Sequence, residues 1–505
     1  MIALCLQKRQ AEYAFSYLER ARSMALRQHL NTTKMPFDTK EGQESSVSSP
    51  ALQANTATIL RTQDELREWQ EKYRDYSILL TQMDKFVSPN VEQGIIEAEL
   101  KRCEAKLSEL FERLYLHRSM GRLTPQVKKG KKHNAKQSDI TQLSQHLSPD
   151  RLLLAYFLYK ETLVIFVVTR EQVITHENPD RIKQLKRLLP LLHAHLQLSG
   201  WPDPQQPPQL GVRQMLNKLY HLLIAPVAAL LPPSAGYLTI VPYGPLHQLP
   251  FHALYDGSRF LVEDFQINYL PASSLLKAPA TDDTGDTSKG TSKPPLIFGY
   301  SGHGHLQRAL EEARTLATML DGHCYLEDEA TIARLIEQAS GSPIIHLATH
   351  GHSRLDAPNF SSILLADGWF NAIDAFSLNL KGCELVTLSG CETGLALSGG
   401  GDEQLGLGRA FLAAGANALA MSLWPVEDNA TNELMQLFYQ NLLRGDSKVQ
   451  ALRAAQCSLI HRSGSNYTHP YFWAAFRLVG EVGPLKYQQR TKERSLALKT
   501  EFIKK

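Results

Sequence analysis

At 505 residues the chain is longer than one hydrophobic core supports, and three or four compact units of roughly 100 to 200 residues are expected. Hydrophobic residues make up 43% and charged residues 21%, an ordinary globular balance, and no apolar run is long enough to cross a bilayer. A net charge of +3 over this length does not point to nucleic acid, and the six cysteines (Cys5, Cys103, Cys324, Cys383, Cys391, Cys457) show neither a CxxC pair nor other close metal-ligand spacing, which argues against a disulfide scaffold, a zinc module or any other metal or cofactor.

The opening Met1 to Leu6 is apolar, but Gln7, Lys8 and Arg9 follow at once, which is not the layout of a secretory signal, so a cytoplasmic location is expected. Residues 1–30 read as one amphipathic helix, with Tyr13, Ala14, Tyr17, Leu18, Ala21 and Ala25 recurring at three- and four-residue steps. With no partner helix beside it, this helix is expected to be the terminal remnant of a helical repeat. Residues 31–55, rich in Ser, Thr, Gln and Gly, read as a linker.

Residues 56–120 form a helical hairpin. Leu66, Trp69, Tyr73, Tyr76, Leu80 and Met83 make one seam, and Ile96, Leu100, Cys103, Leu107, Leu110 and Leu114 make the other, with the turn at Ser88, Pro89 and Asn90. The alternative is that both helices pack on the following domain rather than on each other. Cys103 lies on the seam as core filler. Residues 121–148 carry Lys128, Lys129, Lys131, Lys132 and Lys136 without interleaved aromatics, which reads as a solvated basic linker and not as a nucleic-acid contact.

Beyond residue 148 the pattern turns to α/β. In residues 149–277, Leu152–Phe157 and Leu163–Thr169 read as a strand hairpin, Arg181–Leu198 and Arg213–Leu231 as helices, and Leu238–Pro242 as a buried strand. Residues 278–295 have a loop composition that predicts an exposed, protease-sensitive segment. In residues 296–482, strands at Leu296–Tyr300, Ile344–Thr349, Glu384–Ser389, Ala418–Leu423 and Ala475–Val479 alternate with helices at Leu306–Leu320, Thr331–Ala339, Leu405–Ala414 and Asn429–Leu443. That alternation predicts a mainly parallel sheet with helices on both faces and functional groups beyond the carboxyl ends of its strands. Residues 483–505 read as a basic tail.

Two strand ends run straight into reactive side chains: Ile344-Ile345-His346-Leu347-Ala348-Thr349-His350-Gly351-His352 and Leu385-Val386-Thr387-Leu388-Ser389-Gly390-Cys391-Glu392-Thr393-Gly394. If the strands are adjacent and parallel, His350 and Cys391 emerge together, and an imidazole beside a thiol can hold the nucleophilic thiolate. The flanking glycines leave backbone N–H groups free, which makes those of Gly351 and Cys391 candidates for an oxyanion hole. Glu392 would raise the thiol pKa and is not a catalytic candidate.

The stretches IIHLATHGH, LVTLSGCETG, GLGRAFLAAGANALAMSLWPVED and HPYFWAAFRLVG, together with the upstream VPYGPLHQLPFHALYDG and LVEDFQINYLPASS, resemble the CHAT domain over roughly residues 150 to 482. That family is a branch of the caspase and separase clan, often fused to tetratricopeptide-type repeats. The resemblance implies a caspase-like sheet, with 149–277 a non-catalytic half and 296–482 the catalytic half, and a cysteine endopeptidase with a Cys-His dyad. The histidine of the family's THG motif falls on His350 and its nucleophile on Cys391. His303 and His305 follow the wrong strand, His346 is a structural neighbour, and His352 is a candidate substrate-side group. Leu423-Trp424-Pro425-Val426-Glu427-Asp428 is similar to the LWDVTD motif of separases, with Pro425 in place of an Asp, which implies a basic P1 pocket built with Asp428 and Trp424. Asp402 and Glu403 are an alternative acidic source, and Asp428 could instead be the N-cap of the following helix. The resemblance also implies a protein substrate, a regulatory partner acting through the N-terminal helices, and, by analogy with bacterial defence systems, a latent enzyme. The competing reading is a catalytically silent CHAT scaffold in protein–protein signalling.

Overall fold

A computed structural model describes residues 1–30, 50–83, 91–120, 143–198, 209–231, 236–276, 293–302, 304–354, 356–390, 406–425 and 427–487. The expected loop at 278–295 falls outside these residues except for Lys293, Pro294 and Pro295, as do the hairpin turn at Ser88, Pro89 and Asn90 and the five lysines of the basic linker.

Eleven strands form one continuous sheet. In chain order they are β1 (Arg151–Tyr159), β2 (Thr162–Val168), β3 (Val173–Asn178), β4 (Tyr237–Val241), β5 (Gln266–Tyr269), β6 (Leu296–Gly299), β7 (His323–Leu326), β8 (Ile344–Ala348), β12 (Leu385–Ser389), β13 (Ala418–Ser422) and β14 (Phe476–Gly480). A separate three-stranded sheet holds β9 (Gly351–His352), β10 (Ser362–Leu365) and β11 (Gly368–Asn371). The spatial order of the large sheet is β3-β2-β1-β4-β5-β14-β13-β12-β8-β6-β7. Pairing is parallel along β1-β4-β5-β14 and again along β13-β12-β8-β6-β7, and it is antiparallel between β14 and β13 and in the β1-β2-β3 meander. The fold is therefore α/β, with a mainly parallel sheet preceded by an α-helical N-terminal region. Its two halves join where β14 of the second lies beside β5 of the first.

The N-terminal helix differs from expectation. It is two helices, α1 (Ile2–Gln7) and α2 (Ala11–Leu30), broken where Arg9 takes a positive φ of 54°. The apolar face of α2 packs on the sheet. Ala14, Phe15 and Leu18 are buried against Leu153, Ala155, Phe157, Val164 and Phe166, while Leu152, Leu154, Tyr156, Ile165 and Val167 face the opposite core. Alternate residues of β1 and β2 thus bury on both faces of the sheet, which is why these strands read as unbroken apolar runs. One face takes α5 (Ile182–Leu198) and α6 (Gln209–Leu223); the other takes α2, with Leu143 and Leu147.

The hairpin helices are α3 (Pro50–Met83) and α4 (Val91–Met120), so α3 begins inside the expected linker. Their seam of Tyr73, Leu100, Cys103 and Leu107 closes on itself and also on Phe360 and Ile373, so both expected packings occur together. The second half is covered by α7 (Gln307–Leu320), α8 (Ile332–Gln338), α9 (Ala372–Ala375), α10 (Leu407–Ala413), α11 (Asp428–Arg444) and α12 (Lys448–Ile460). The start of the expected tail is packed: Leu485 is buried, and the Lys486 and Tyr487 N–H groups donate to the Glu384 carboxylate. No helix among the described residues is long and apolar enough to cross a membrane.

Candidate active site

Strands β8 and β12 pair in parallel, with Ile344 opposite Leu385 and Ala348 opposite Ser389. Residues 350 and 391 therefore each stand two positions beyond the last pair in the chain. Cys391 itself lies outside the described residues, as do Asp402, Glu403 and His303. Gly390, immediately before Cys391, is the last described residue of its strand end. A β-carbon at Gly390 would come 2.4 Å from the Thr349 carbonyl oxygen and 3.2 Å from the Gly351 nitrogen. Only glycine lets the two strand ends approach this closely, so the residue before the candidate nucleophile lies against the backbone on both sides of His350. From the other side, the Ser422 hydroxyl at the end of β13 donates to the Gly390 carbonyl.

His350 is half-buried. Burial first, and His305 second, holds its imidazole below the ordinary histidine range. Among the described residues neither ring nitrogen has a hydrogen-bond partner, so a neutral ring is available to accept a proton. Its carbonyl accepts from the Leu364 N–H, and the Thr349 hydroxyl donates to the Leu364 carbonyl, which ties the end of β8 to the small sheet. His305 is exposed and acts on His350 through its charge alone. His346, fully buried, bridges the Glu312 carboxylate at 2.8 Å and the Tyr439 hydroxyl at 3.3 Å, and Tyr439 reaches Thr387 at 2.8 Å. That network links β8 and β12 to α7 and α11 beneath the site. Glu312 was the sequence signal missed: it interrupts the apolar stripe Ala309, Ala313, Leu316, Leu320 from within.

The helix at β13 starts one residue earlier than expected, and its N-cap is Glu427, whose carboxylate accepts from the Ala430 N–H at 2.7 Å. The cap reading of Asp428 is thereby corrected. Asp428 is half-buried and makes no hydrogen bond or ion pair among the described residues. Burial pushes its carboxyl up to about 6, with Glu427 and Glu312 adding to the effect and Arg308 opposing it. Since α7 and α11 follow β6 and β13 and run back antiparallel to them, Arg308 and Asp428 lie at the helix ends nearest the carboxyl edge that carries His350.

Trp424 does not line a surface. It is 0% exposed, and its indole N–H donates to the Tyr471 carbonyl at 3.0 Å, so its place is in the core, which corrects the expectation that it contacts substrate. His352 keeps much of its surface in solvent, while one face of its ring lies against Trp369 with centroids 5.9 Å apart; this partial burial of the imidazole first, then Arg354, lowers its pKa, while Asp356 opposes.

The hairpin reaches this region directly. Arg354, four residues after His350, donates to Glu104 of α4 at 2.9 Å and to Asp356 at 2.8 and 2.9 Å. Buried Asp374 accepts from Gln70 at 2.8 Å and Arg74 at 3.1 Å of α3, and Tyr73 packs on Phe360 with centroids 5.3 Å apart.

A sequence model described as the CHAT domain matches residues 213–481. The human and mouse tetratricopeptide repeat protein 28 sequences are each 28% identical over 52% of this chain, and the chain spans 13% of the length of either. The separase–securin complex of Saccharomyces cerevisiae is similar with a TM-score of 0.49 and 9% identity, covering 92% of this chain and 40% of that one. The Arg-specific cysteine proteinase gingipain R is similar with a TM-score of 0.31 and 9% identity, covering 60% of this chain and 76% of that one.

Proposed function

With more than half of its residues matched, the chain belongs to the CHAT domain family, and on that premise we propose that it is a cysteine endopeptidase in which Cys391 and His350 form the dyad. The observation that carries the proposal is the parallel register of β8 and β12, with Gly390 seated against the Thr349 carbonyl. In the proposed reaction His350 takes the proton of the Cys391 thiol, and the resulting thiolate attacks the scissile carbonyl. His350 then protonates the leaving amine, and afterwards takes a proton from the water that releases the acyl group. The N–H groups of Gly351 and Cys391 would stabilise the oxyanion; the Gly351 nitrogen facing Gly390 supports that role.

The substrate side rests on Asp428. A half-buried carboxylate with no partner among the described residues is suited to a basic P1 side chain, and most of all to Arg, which can bind it through two hydrogen bonds. Asp402, Glu403 and His352 are the further substrate-side candidates. Control through the helical N-terminal region is supported by the ion pairs that join α3 and α4 to the segment following His350. A partner that shifts the hairpin would shift β9, and with it Gly351. The whole reading is one of a cytoplasmic peptidase acting on a protein.

Incubation with Arg- and Lys-containing peptides, alone and with candidate partner proteins, tests the proposal. Cys391→Ala should abolish cleavage, and His350→Ala should lower it about 1,000-fold or more, toward the upper end of what general acid–base catalysis supplies. Cleavage that survives Cys391→Ala would refute the dyad. No cleavage by the wild type under any of these conditions would favour the silent scaffold.

A further inference from the structure

The loop between β6 and α7 lies against His350. Gly302 has a φ of +59°, and a β-carbon built there would fall 2.4 Å from Cδ2 and 2.6 Å from Nε2 of the His350 ring. The bare α-carbon of Gly302 is thus a wall of the imidazole's site. A wall of this kind matters because the second side-chain torsion of histidine is broad and roughly two-fold, so the ring needs an outside contact to select one orientation. Among the described residues no hydrogen bond to either ring nitrogen supplies it, so the contact with Gly302 is the one that does.

What holds Gly302 in place is Ser301, buried at 1% exposure. Its hydroxyl donates to Glu327 Oε1 at 2.6 Å and its N–H to Oε2 at 3.3 Å. The same hydroxyl accepts from the Gly304 N–H at 2.8 Å, and the Ser301 carbonyl accepts from the Leu306 N–H at 2.9 Å. Every one of these bonds folds the loop onto Ser301. Glu327, the first residue after β7, has a φ of +47°, a conformation seldom adopted outside glycine. Because β6 pairs in parallel with β7 on one side and β8 on the other, the carboxylate reaches across one strand end to shape the wall of the next.

We infer that Ser301 and Glu327 are positioning residues for His350, acting through Gly302 to hold the imidazole in the orientation its chemistry requires. Neither residue touches the reacting atoms in this scheme. The inference rests on the proposed peptidase reading for its consequence in turnover, but not for its effect on the ring.

The test is histidine-labelled NMR of the full chain, with the His350 signal assigned by its loss in His350→Gln, titrated in the wild type, Ser301→Ala, Glu327→Ala and Glu327→Gln. Peptide cleavage by the same proteins is measured alongside. In Glu327→Ala the ring should gain freedom and solvent, so its titration should move up toward the ordinary histidine range. Its kcat should fall about 10- to 100-fold with KM within about twofold, as expected when a reacting group is misplaced by about an ångström. Glu327→Gln keeps an acceptor for the Ser301 hydroxyl and should stay within about threefold of wild type, as a preserved outer contact predicts. A His350 titration and kcat unchanged in Glu327→Ala and Ser301→Ala, in protein that melts like wild type, would overturn the inference. A shifted titration in a protein that never cleaves peptide would uphold the positioning role and remove the peptidase reading instead.

Discussion

The two halves of the sheet treat their carboxyl edges in opposite ways. In the first half, the end of β4 is covered: the Arg22 guanidinium of α2 donates to the carbonyls of Tyr156 and Pro242 and lies over the Tyr243 ring, 5.6 Å from its centroid. In the second, the ends of β8 and β12 carry His350 and Gly390, and the contacts around them are supplied by glycines, at Gly302 and Gly390, in place of larger side chains. The same parallel arrangement serves as a covered support in one place and carries the candidate site in the other. What differs is which residue types follow the last paired position. A buried cation satisfying two carbonyls leaves no room for a ligand, whereas glycines leave backbone and an imidazole within reach.

If this contrast is right, Arg22→Ala should be costly for folding and quiet in catalysis. Removing the bonds that Arg22 gives to two buried carbonyls and to the Glu19 carboxylate, which keeps only the Ser273 N–H among the described residues, should remove about 3 kcal/mol of stability, measured by urea unfolding, while cleavage at 25 °C by the folded fraction stays near wild type. A parallel loss of kcat would mean the two edges are coupled. Gly390→Ala should behave in the reverse sense. Forcing the strand ends apart should cost about 100-fold in cleavage, against about 1 to 3 kcal/mol in unfolding.

Asp428 probes the substrate side of the open edge. With its carboxyl pushed up to about 6, it is ionised above that pH and protonated below it, so a preference for Arg over a neutral P1 residue should hold at pH 7.5 and fade as pH drops through 6. The change should be about tenfold, the worth of a charge-assisted hydrogen bond, and Asp428→Asn should make the preference small and independent of pH. The smallest effect is expected at the hairpin. A double-mutant cycle on Arg354 and Glu104, which are partly exposed at 24% and 14%, should give a coupling of about 1 kcal/mol or less. Cleavage that changes in Arg354→Ala without a matching loss of stability would support control through α3 and α4.

Much of the site could be read locally. Strands β8 and β12 announce themselves as short apolar runs ending in THG and SGC, and a mainly parallel sheet follows from the alternation of strands and helices across residues 296–482, but that these two strands are neighbours does not. Other features had no local mark. The small sheet of β9, β10 and β11 is built from strands of two to four residues, too short for an alternating pattern to register. Trp424 was expected on a surface because motif similarity carries the order of residues but not their burial. For Asp428, the cap reading followed from residue type and position, and only the observed bond from the Ala430 N–H puts the cap on Glu427 instead.

The role of α2 is the clearest division between the two kinds of information. The amphipathic pattern sufficed to say that residues 1–30 are helical and must bury one face, though not that the helix breaks before Ala11, since a three- and four-residue repeat is a local property of the chain. Its partner could not be read that way, because the matching apolar face lies on strands more than 120 residues later in sequence. Likewise, the residue types of THG and SGC specified the chemistry available, but the close packing at Gly390, where an added β-carbon would fall 2.4 Å from the Thr349 oxygen, and the wall that Gly302 offers to His350 come from non-local sheet pairing. Reactivity is written into single residues; the distances that direct it arise when β6, β8 and β12 are laid side by side.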